Sequence, residues 1–177
     1  MKNFDGNRVN DRIGTYSSRG PSRLDYILKP DLVAPGNKVI SLGAAGSSLY
    51  NDHAGTNQIP WSLYSAITLP TSSLLYFSLS GTSMAAPVTS GAAALMCQQN
   101  PSLSPDVIKA RLMLSADKWS DPLGSMDPCT YGSGYLNIPA ALASSAVLTQ
   151  PANSPRLTTT KKGSVLVNLD QAIWGVD

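Results

Sequence analysis

One stretch of the chain decides the fold: Tyr76-Phe77-Ser78-Leu79-Ser80-Gly81-Thr82-Ser83-Met84-Ala85-Ala86-Pro87. The aromatic and aliphatic residues at its start predict a β-strand, because such side chains favour extended backbone. Gly81 follows, and because it has no Cβ atom its backbone can adopt dihedral angles that other residues avoid. Glycine at this position therefore predicts a tight turn. Alanine is a strong helix former, so the residues from Ala85 onward predict a helix. This strand, turn and helix place Ser83 at or near a helix N-terminus.

Ser83 has two interpretations at such a position. A serine at the start of a helix is most often an N-cap, whose side-chain oxygen accepts a backbone N–H. The same position also offers unpaired N–H groups and the positive end of the helix dipole. Both features stabilise an anionic intermediate formed beside the serine oxygen, so Ser83 is also a candidate nucleophile.

The seven residues from Gly81 to Pro87 resemble the nucleophile motif of the subtilisin-like serine peptidases, the subtilases. The resemblance implies that Ser83 is the nucleophile of a serine-type endopeptidase, which hydrolyses peptide bonds through an acyl-enzyme. It also implies that Gly81, Thr82 and Pro87 support the motif and the oxyanion site.

Three further segments carry the same resemblance: Ser17–Pro21, Lys29–Gly36 and Tyr131–Asn137. Taken without the family, their glycines and prolines indicate only turns around a short buried strand. We therefore expect these segments to shape the domain rather than to do chemistry. The resemblance covers about residues 11 to 142 and corresponds to the carboxyl-terminal half of a subtilase catalytic domain.

The implied fold class is α/β, as part of a subtilisin-like three-layer fold with a mainly parallel sheet whose amino-terminal half is missing. Residues 1–146 are expected to form the carboxyl-terminal part of the peptidase domain. Residues 147–177 are expected to form a linker and a short tail of unknown role, because Gln150 to Gly163 is rich in Pro, Ser, Thr and Lys.

Local patterns predict further elements. Short strands are predicted at Arg12–Tyr16 and at Val39–Leu42. The helix after Ser83 is small or apolar around its circumference, which predicts burial in the centre of the domain. A second helix is predicted to open at Ser104, with its basic residues, Lys109 and Arg111, on the solvated side. Residues 44–74 form a long connection that looks extended by an insertion of open role.

Two members of the subtilase triad have no match in these residues. The family places its aspartate in Asp-Ser/Thr-Gly and its histidine in His-Gly-Thr, both upstream of the serine, and neither motif is present. The family's oxyanion asparagine also lies upstream of the matched segments. His53 stands in a similar sequence, His-Ala-Gly-Thr, but downstream of Lys29–Gly36, so we interpret it as a polar loop residue. Lys109 is a weaker candidate base still.

Three functional hypotheses follow. The first is the serine-bearing half of a secreted endopeptidase that is inactive alone and is completed by its amino-terminal half. The second is a catalytically inactive, subtilase-derived module that binds a peptide or a protein. The third is a self-sufficient hydrolase that uses His53. The family resemblance implies an extracellular location, although Met1–Gly6 has no apolar segment of the kind a secretory signal needs.

Composition limits the remaining classes. A net charge of +2 gives no electrostatic case for nucleic acid, and no apolar run is long enough to cross a membrane. No cofactor is identifiable. Structural calcium is common in the family, but the aspartates lack dense ligand spacing and no metal site is assigned; the four considered are Asp52, Asp117, Asp121 and Asp127. We expect Cys97 in a buried helix and Cys129 in a loop, and a bridge between them stays open.

Overall fold

The computed structural model describes residues 8–63, 76–118 and 127–168. In chain order these contain β1 (Val39–Leu42), α1 (Ser48–Asp52), α2 (Ala54–Asn57), β2 (Tyr76–Leu79), α3 (Thr82–Gln99), α4 (Pro105–Leu114), α5 (Pro128–Tyr131), α6 (Ile138–Ala143), β3 (Arg156–Thr159) and β4 (Val165–Asn168). Short 3-10 helices lie at Arg8–Asn10 and Trp61–Leu63.

The sheets of the described residues differ from the predicted mainly parallel sheet. Strand β1 pairs antiparallel with β2, with Val39 opposite Leu79, and β3 pairs antiparallel with β4. Parallel pairing among these residues is limited to one bridge, between Val33 and Tyr135. A parallel sheet needs neighbouring strands joined by crossovers, and the described part of the chain supplies antiparallel neighbours instead.

The prediction of a strand at Arg12–Tyr16 is wrong. The segment turns, because the N–H of Ser17 donates to the carbonyl of Gly14 at 2.9 Å. The aromatic ring of Tyr16 lies against Gly14, where an added Cβ atom would come within 2.7 Å of the ring. Local propensity for extended backbone is therefore overridden by this turn.

The core lies where α3, α4 and α6 meet. Its buried members are Ala92, Met96, Leu112, Leu136 and Ala141. Helix α4 begins as predicted: the side-chain oxygen of Ser104 accepts the N–H of Val107 at 3.3 Å, and Pro105 is the first helical residue. Two of these five are alanines, Ala92 on α3 and Ala141 on α6, and such small side chains let neighbouring helices pack closely.

Helix α3 is not enclosed by the described residues, contrary to the prediction of a central buried helix. Only Ala92 and Met96 along it are buried, and the side chain of Leu95 is 45% exposed. Helix α6 packs on one side of α3. The opposite side is a continuous face of small and apolar residues, called here the open face: Ser83, Ala86, Pro87, Ser90, Gly91, Ala94, Leu95, Cys97 and Gln98.

Residues 146–157 run back along α4. The guanidinium Nε of Arg111 donates to the carbonyl of Ala146 at 2.9 Å, and the N–H of Ala152 donates to Oδ1 of Asp106 at 2.8 Å. Ala152 is buried. The first part of the predicted linker is therefore held by specific contacts, and the boundary between residues 146 and 147 stays a prediction.

Lys109 and Arg111 are not on a solvated side of α4, as the sequence predicted. Both are half-buried. The ammonium of Lys109 donates to Oγ of Ser154 at 3.1 Å and lies 3.6 Å from Oδ1 of Asp31. The basic residues of α4 therefore hold the returning carboxyl-terminal segment, a role that only long-range contacts reveal.

The described part of the 44–74 connection packs against β2. The side-chain amide of Asn57 donates to the carbonyl of Ser78 at 2.8 Å, and the ring centroids of Tyr50 and Phe77 are 5.8 Å apart. This segment therefore supports the strand that leads to Ser83. Residues 64–74 of the connection lie outside the described residues.

Candidate active site

The predicted strand, turn and helix around Ser83 are confirmed. Strand β2 ends at Leu79, and α3 begins at Thr82 with Gly81 as its N-cap. Gly81 has φ 155° and ψ 164°, a region that is essentially restricted to glycine. The turn that delivers Ser83 to the helix N-terminus therefore needs glycine at this position.

A neighbouring loop holds this turn on two sides. The carbonyl of Gly36 accepts the N–H of Gly81 at 2.8 Å, and the side-chain oxygen of Ser80 accepts the N–H of Lys38 at 2.8 Å. Lys38 has φ 50°, which non-glycine residues rarely adopt. We call residues 36–38 the clamp loop, because its backbone fixes both residues immediately before α3.

Ser83 is the second residue of α3 and is exposed. Among the described residues, no protein acceptor is within hydrogen-bonding distance of the backbone N–H of Thr82 or Ser83, and Gly81 supplies no side-chain cap. The hydroxyl of Ser83 likewise makes no hydrogen bond to them. Free N–H groups at this position can donate to the oxyanion that forms when the hydroxyl oxygen attacks a carbonyl.

Pro87 lies deeper in the helix than the sequence indicated. It is an interior residue of α3, where a proline costs an intrahelical hydrogen bond. Because Pro87 has no N–H, the carbonyl of Ser83 lacks the donor that the fourth following residue would normally provide. Pro87 therefore removes one helical hydrogen bond from the turn that contains Ser83. Its own side chain is exposed.

A pocket of about 270 Å³ opens beside this turn. Its walls come from the first turns of α3, from residues 30–37 and from residues 11–17, and they are mostly apolar. Six hydroxyl-bearing residues also line it: Tyr16, Ser17, Thr82, Thr89, Tyr131 and Tyr135. Most of the pocket wall comes from segments that carry the sequence resemblance, and residues 11–16 add a wall from outside them.

A family model described as the subtilase family matches residues 7–153. The chain belongs to the subtilase family. It is 40% identical over 127 residues to serine protease AprX of Bacillus subtilis (strain 168), a match that covers 72% of this chain and 24% of that protein. It is 38% identical over 133 residues to subtilisin-like protease SBT1.9 of Arabidopsis thaliana, covering 75% of this chain and 15% of that protein.

A crystal structure of fervidolysin from Fervidobacterium pennivorans, described as a keratinolytic enzyme related to subtilisin, is 26% identical. That match has a TM-score of 0.45 and covers 66% of this chain and 15% of the fervidolysin chain. This subtilase sequence therefore spans about a quarter or less of the length of the relatives described above.

Neither candidate base from the sequence is hydrogen-bonded to Ser83 among the described residues. His53 is exposed at the junction of α1 and α2, and no hydrogen bond joins it to Ser83. Lys109 is committed to Asp31 and Ser154. Neither His53 nor Lys109, the two candidate bases from the sequence, therefore has a hydrogen bond to Ser83 in the described part of the chain.

Two of the four aspartates that were considered as calcium ligands make contacts within the protein. Oδ2 of Asp117 lies 3.0 Å from the guanidinium of Arg8, and Asp127 accepts the N–H of Cys129 at 3.0 Å as the N-cap of α5. Asp52 is exposed, and Asp121 lies outside the described residues. Among the described residues no group of three or more His, Cys or acidic side chains could hold a metal ion.

Two titratable groups near the pocket have shifted pKa values. Burial works to raise the pKa of Asp31, but hydrogen bonds from Lys29 and Ser154 outweigh it and lower the pKa below its usual value. Burial and the Asp11 carboxylate raise the pKa of Tyr135 to about 12. Neither group contacts Ser83, so both belong to the scaffold of the site.

Sequence reasoning missed the contribution of Tyr16 and the clamp loop to this site. Tyr16 was assigned to a strand, and Gly36 to a turn without a role in the chemistry. The spacing of Gly36 from Ser83 carries no local signal, since the two approach each other only through tertiary folding.

In the part of the chain that the structure describes, no helix is both long and apolar enough to span a membrane.

Proposed function

We propose that the chain carries the nucleophile of a serine endopeptidase, with Ser83 as the attacking residue. Its exposed hydroxyl and the free N–H groups at the start of α3 carry this proposal. The oxygen of Ser83 attacks the peptide carbonyl, and the N–H of Ser83 donates to the oxyanion that forms. Gly81 gives the turn its shape, while Thr82 and Pro87 complete the motif around it.

The base and the orienting acid of the triad come, in this proposal, from a polypeptide segment outside the 177 residues. A serine hydroxyl is a weak nucleophile until an imidazole removes its proton, and a carboxylate has to orient that imidazole. His53 is the single histidine of the sequence, and no hydrogen bond joins it to Ser83 among the described residues. The 177 residues alone are therefore expected not to hydrolyse peptides.

Two uncovered surfaces support completion by further polypeptide. The open face of α3 exposes Ala94 and Leu95, about three turns further along the helix that carries Ser83. In the segment that pairs with Tyr135 through Val33, the backbone groups of Leu32 and Ala34 have no partner among the described residues. Unpaired, half-buried backbone groups are costly, and an added strand would satisfy them.

Active-site labelling tests the proposal. A fluorophosphonate probe should label a longer chain that contains in-frame Asp-Ser/Thr-Gly and His-Gly-Thr motifs upstream, and Ser83→Ala should abolish labelling. Ser90→Ala is the matched control, because Ser90 is exposed on the same helix and donates only to the carbonyl of Ala86, at 3.1 Å. The 177-residue chain should not be labelled.

The outcomes separate the alternatives. Labelling of the 177-residue chain that is lost in both Ser83→Ala and His53→Ala would support a self-sufficient hydrolase and contradict the proposal. A longer, folded chain with both upstream motifs that is never labelled would favour an inactive module that binds peptides or a protein; the pocket of about 270 Å³ is the feature that favours this second function.

An extracellular site of action belongs to the same proposal and rests on the family resemblance. Fractionation of cells that express the complete gene would test it. Recovery of the protein only inside the cells would contradict it.

A further inference from the structure

The N–H of Gly81 has one tether, the carbonyl of Gly36 at 2.8 Å. The same carbonyl accepts a second hydrogen bond, from the phenol hydroxyl of Tyr16 at 3.2 Å. A chain of two hydrogen bonds therefore joins Tyr16 to the residue that caps α3. Ser83 is only two residues further along the backbone.

We propose that Tyr16 and Gly36 are positioning residues for Ser83, which act through the turn at Gly81. A role for Tyr16 and Gly36 in catalysis rests on the function proposed for Ser83. Their effect on the geometry of the turn does not depend on that function. Tyr16 and Gly36 touch neither the hydroxyl nor the N–H of Ser83. They set the direction in which the first N–H groups of α3 point.

Other contacts also hold the turn: the carbonyl of Gly81 accepts the N–H of Met84 at 3.0 Å, and the side chain of Ser80 accepts the N–H of Lys38 at 2.8 Å. Gly81 donates its own N–H only to the carbonyl of Gly36 among the described residues. It has no side chain to pack, and its φ of 155° lies where only glycine is stable. A small rotation of the peptide before Thr82 would redirect the free N–H groups of Thr82 and Ser83. Hydrogen bonds that hold an oxyanion weaken steeply when their angles depart from linearity.

The position of the Tyr16 hydroxyl is itself defined. The ring lies on the backbone of Gly14, where an added Cβ atom would come within 2.7 Å of it. The hydroxyl reaches the clamp loop at two points, the carbonyl of Gly36 and, at 3.5 Å, Oδ1 of Asn37. The ring is held on one side, and the hydroxyl supports the loop on the other.

A purely structural role would fit Tyr16 less well. Its side chain is 48% exposed, so it contributes little to the buried core. Removal of the hydroxyl should therefore change the geometry at α3 more than it changes the stability of the chain. That difference separates a positioning role from a packing role.

A cysteine at the nucleophile position gives a readout that needs no triad. Free N–H groups at a helix N-terminus stabilise a thiolate and lower its pKa. The Ser83→Cys variant is made with Cys97→Ser, because positions 83 and 97 fall in one tryptic peptide, whereas Cys129 falls in another. The rate of alkylation by iodoacetamide, followed against pH by mass spectrometry, gives the pKa of the introduced thiol.

Adding Tyr16→Phe should raise the pKa of the introduced thiol by about half a unit, which lowers its alkylation rate near neutral pH about threefold. Tyr26→Phe is the matched control, since the hydroxyl of Tyr26 makes no hydrogen bond within the described residues and its side chain is 56% exposed. A probe at Ser90→Cys, further along α3, should respond to neither change. The thermal unfolding midpoint should be the same for both tyrosine variants.

Amide hydrogen exchange at residues 81–84 provides the second measurement, with Gly36→Ala as the second variant. Faster exchange at Gly81 in Tyr16→Phe, together with the raised pKa, supports the proposal. An unchanged alkylation profile and unchanged exchange at Gly81 overturn it. If the thiol of Ser83→Cys is no more acidic than that of Ser90→Cys, the oxyanion site of the proposed function fails, while the exchange data still decide the positioning role.

Discussion

Gly36 and Gly81 meet backbone to backbone. The carbonyl of Gly36 accepts the N–H of Gly81 at 2.8 Å, and a Cβ atom built on Gly36 would lie 2.7 Å from the carbonyl oxygen of Gly81. It would also lie 3.1 Å from Cβ of Ala85 in α3. Sequence resemblance marks Gly36 only as part of a motif. The structure gives the steric reason for glycine at this position, because no side chain fits between the clamp loop and the turn before Ser83.

Gly36→Ala should destabilise the chain. The added methyl group meets backbone atoms that cannot rotate away, and overpacking of this kind costs about 1–3 kcal/mol. Urea unfolding followed by circular dichroism measures the change in the free energy of unfolding. Gly91→Ala is the control, because a Cβ atom there meets nothing within 4 Å and helical alanine is favoured over glycine by about 0.5–1 kcal/mol. A Gly36→Ala variant as stable as the wild type would contradict the close contact.

Asp31 should make stability depend on pH in the acid range. Its folded pKa is lowered by Lys29 and Ser154 against the opposing effect of burial, so the unfolded state binds the proton more readily. The stabilisation is fully present above the unfolded pKa of about 3.9 and is lost as pH falls through the lower folded pKa. Asp31→Asn should cost about 1–2 kcal/mol at pH 7 and much less near pH 3.

Urea unfolding at both pH values tests this expectation for Asp31. Asp52→Asn is the matched control, since Asp52 is exposed and has no ion pair among the described residues. An equal loss of stability at pH 7 and pH 3 would mean that Asp31 acts through packing rather than through its charge.

Tyr135 should ionise at a higher pH than an ordinary tyrosine side chain. Burial and the carboxylate of Asp11, which accepts the phenol at 3.1 Å, raise its pKa to about 12, although Arg8 lies 4.1 Å above the ring and opposes the shift. A raised folded pKa contributes stability below the unfolded value of about 10, and that contribution is lost as pH rises from 10 through 12. Ultraviolet titration near 295 nm should show a late step that Tyr135→Phe removes and Asp11→Asn moves to lower pH.

Cys129 should react slowly with thiol reagents. Burial, followed by the nearby carboxylate of Asp127, raises the pKa of its thiol, which lowers the thiolate fraction. Both cysteines are free in the structure, and Cys97 is exposed on α3 rather than buried as expected. Iodoacetamide at pH 8 should modify Cys97 before Cys129, and Asp127→Asn should narrow the difference. Equal rates in the unaltered chain would contradict the assigned environment of Cys129.

The sequence predicted the elements whose signals are local. The strand at Tyr76–Leu79, the turn at Gly81 and the helix that ends before Asn100 were all identifiable from residue type. The start of α4 at Pro105 was identifiable for the same reason, because a capping serine and a proline act within one turn of backbone. The subtilase motif around Ser83 is likewise a continuous run of residues.

Features that join distant segments could not be predicted in this way. Lys109 reads as a solvated residue on a helix, yet it lies 3.6 Å from Asp31, and Asp117 reads as isolated, yet it pairs with Arg8. An apolar helix predicts burial, but composition does not say which elements cover it. Leu95 is exposed because none of the described elements packs against that face of α3.

The sequence by itself determined the family, the place of Ser83 within the motif that resembles the family's nucleophile segment, and the local strand, turn and helix that present it. These follow from short runs of residues whose conformational preferences act over a few bonds. Tertiary structure alone decided that Gly36 holds Gly81, that Tyr16 supports Gly36 and that one face of α3 stays open within the described residues. Such relationships depend on the distance between segments far apart in the chain, which only the folded backbone fixes.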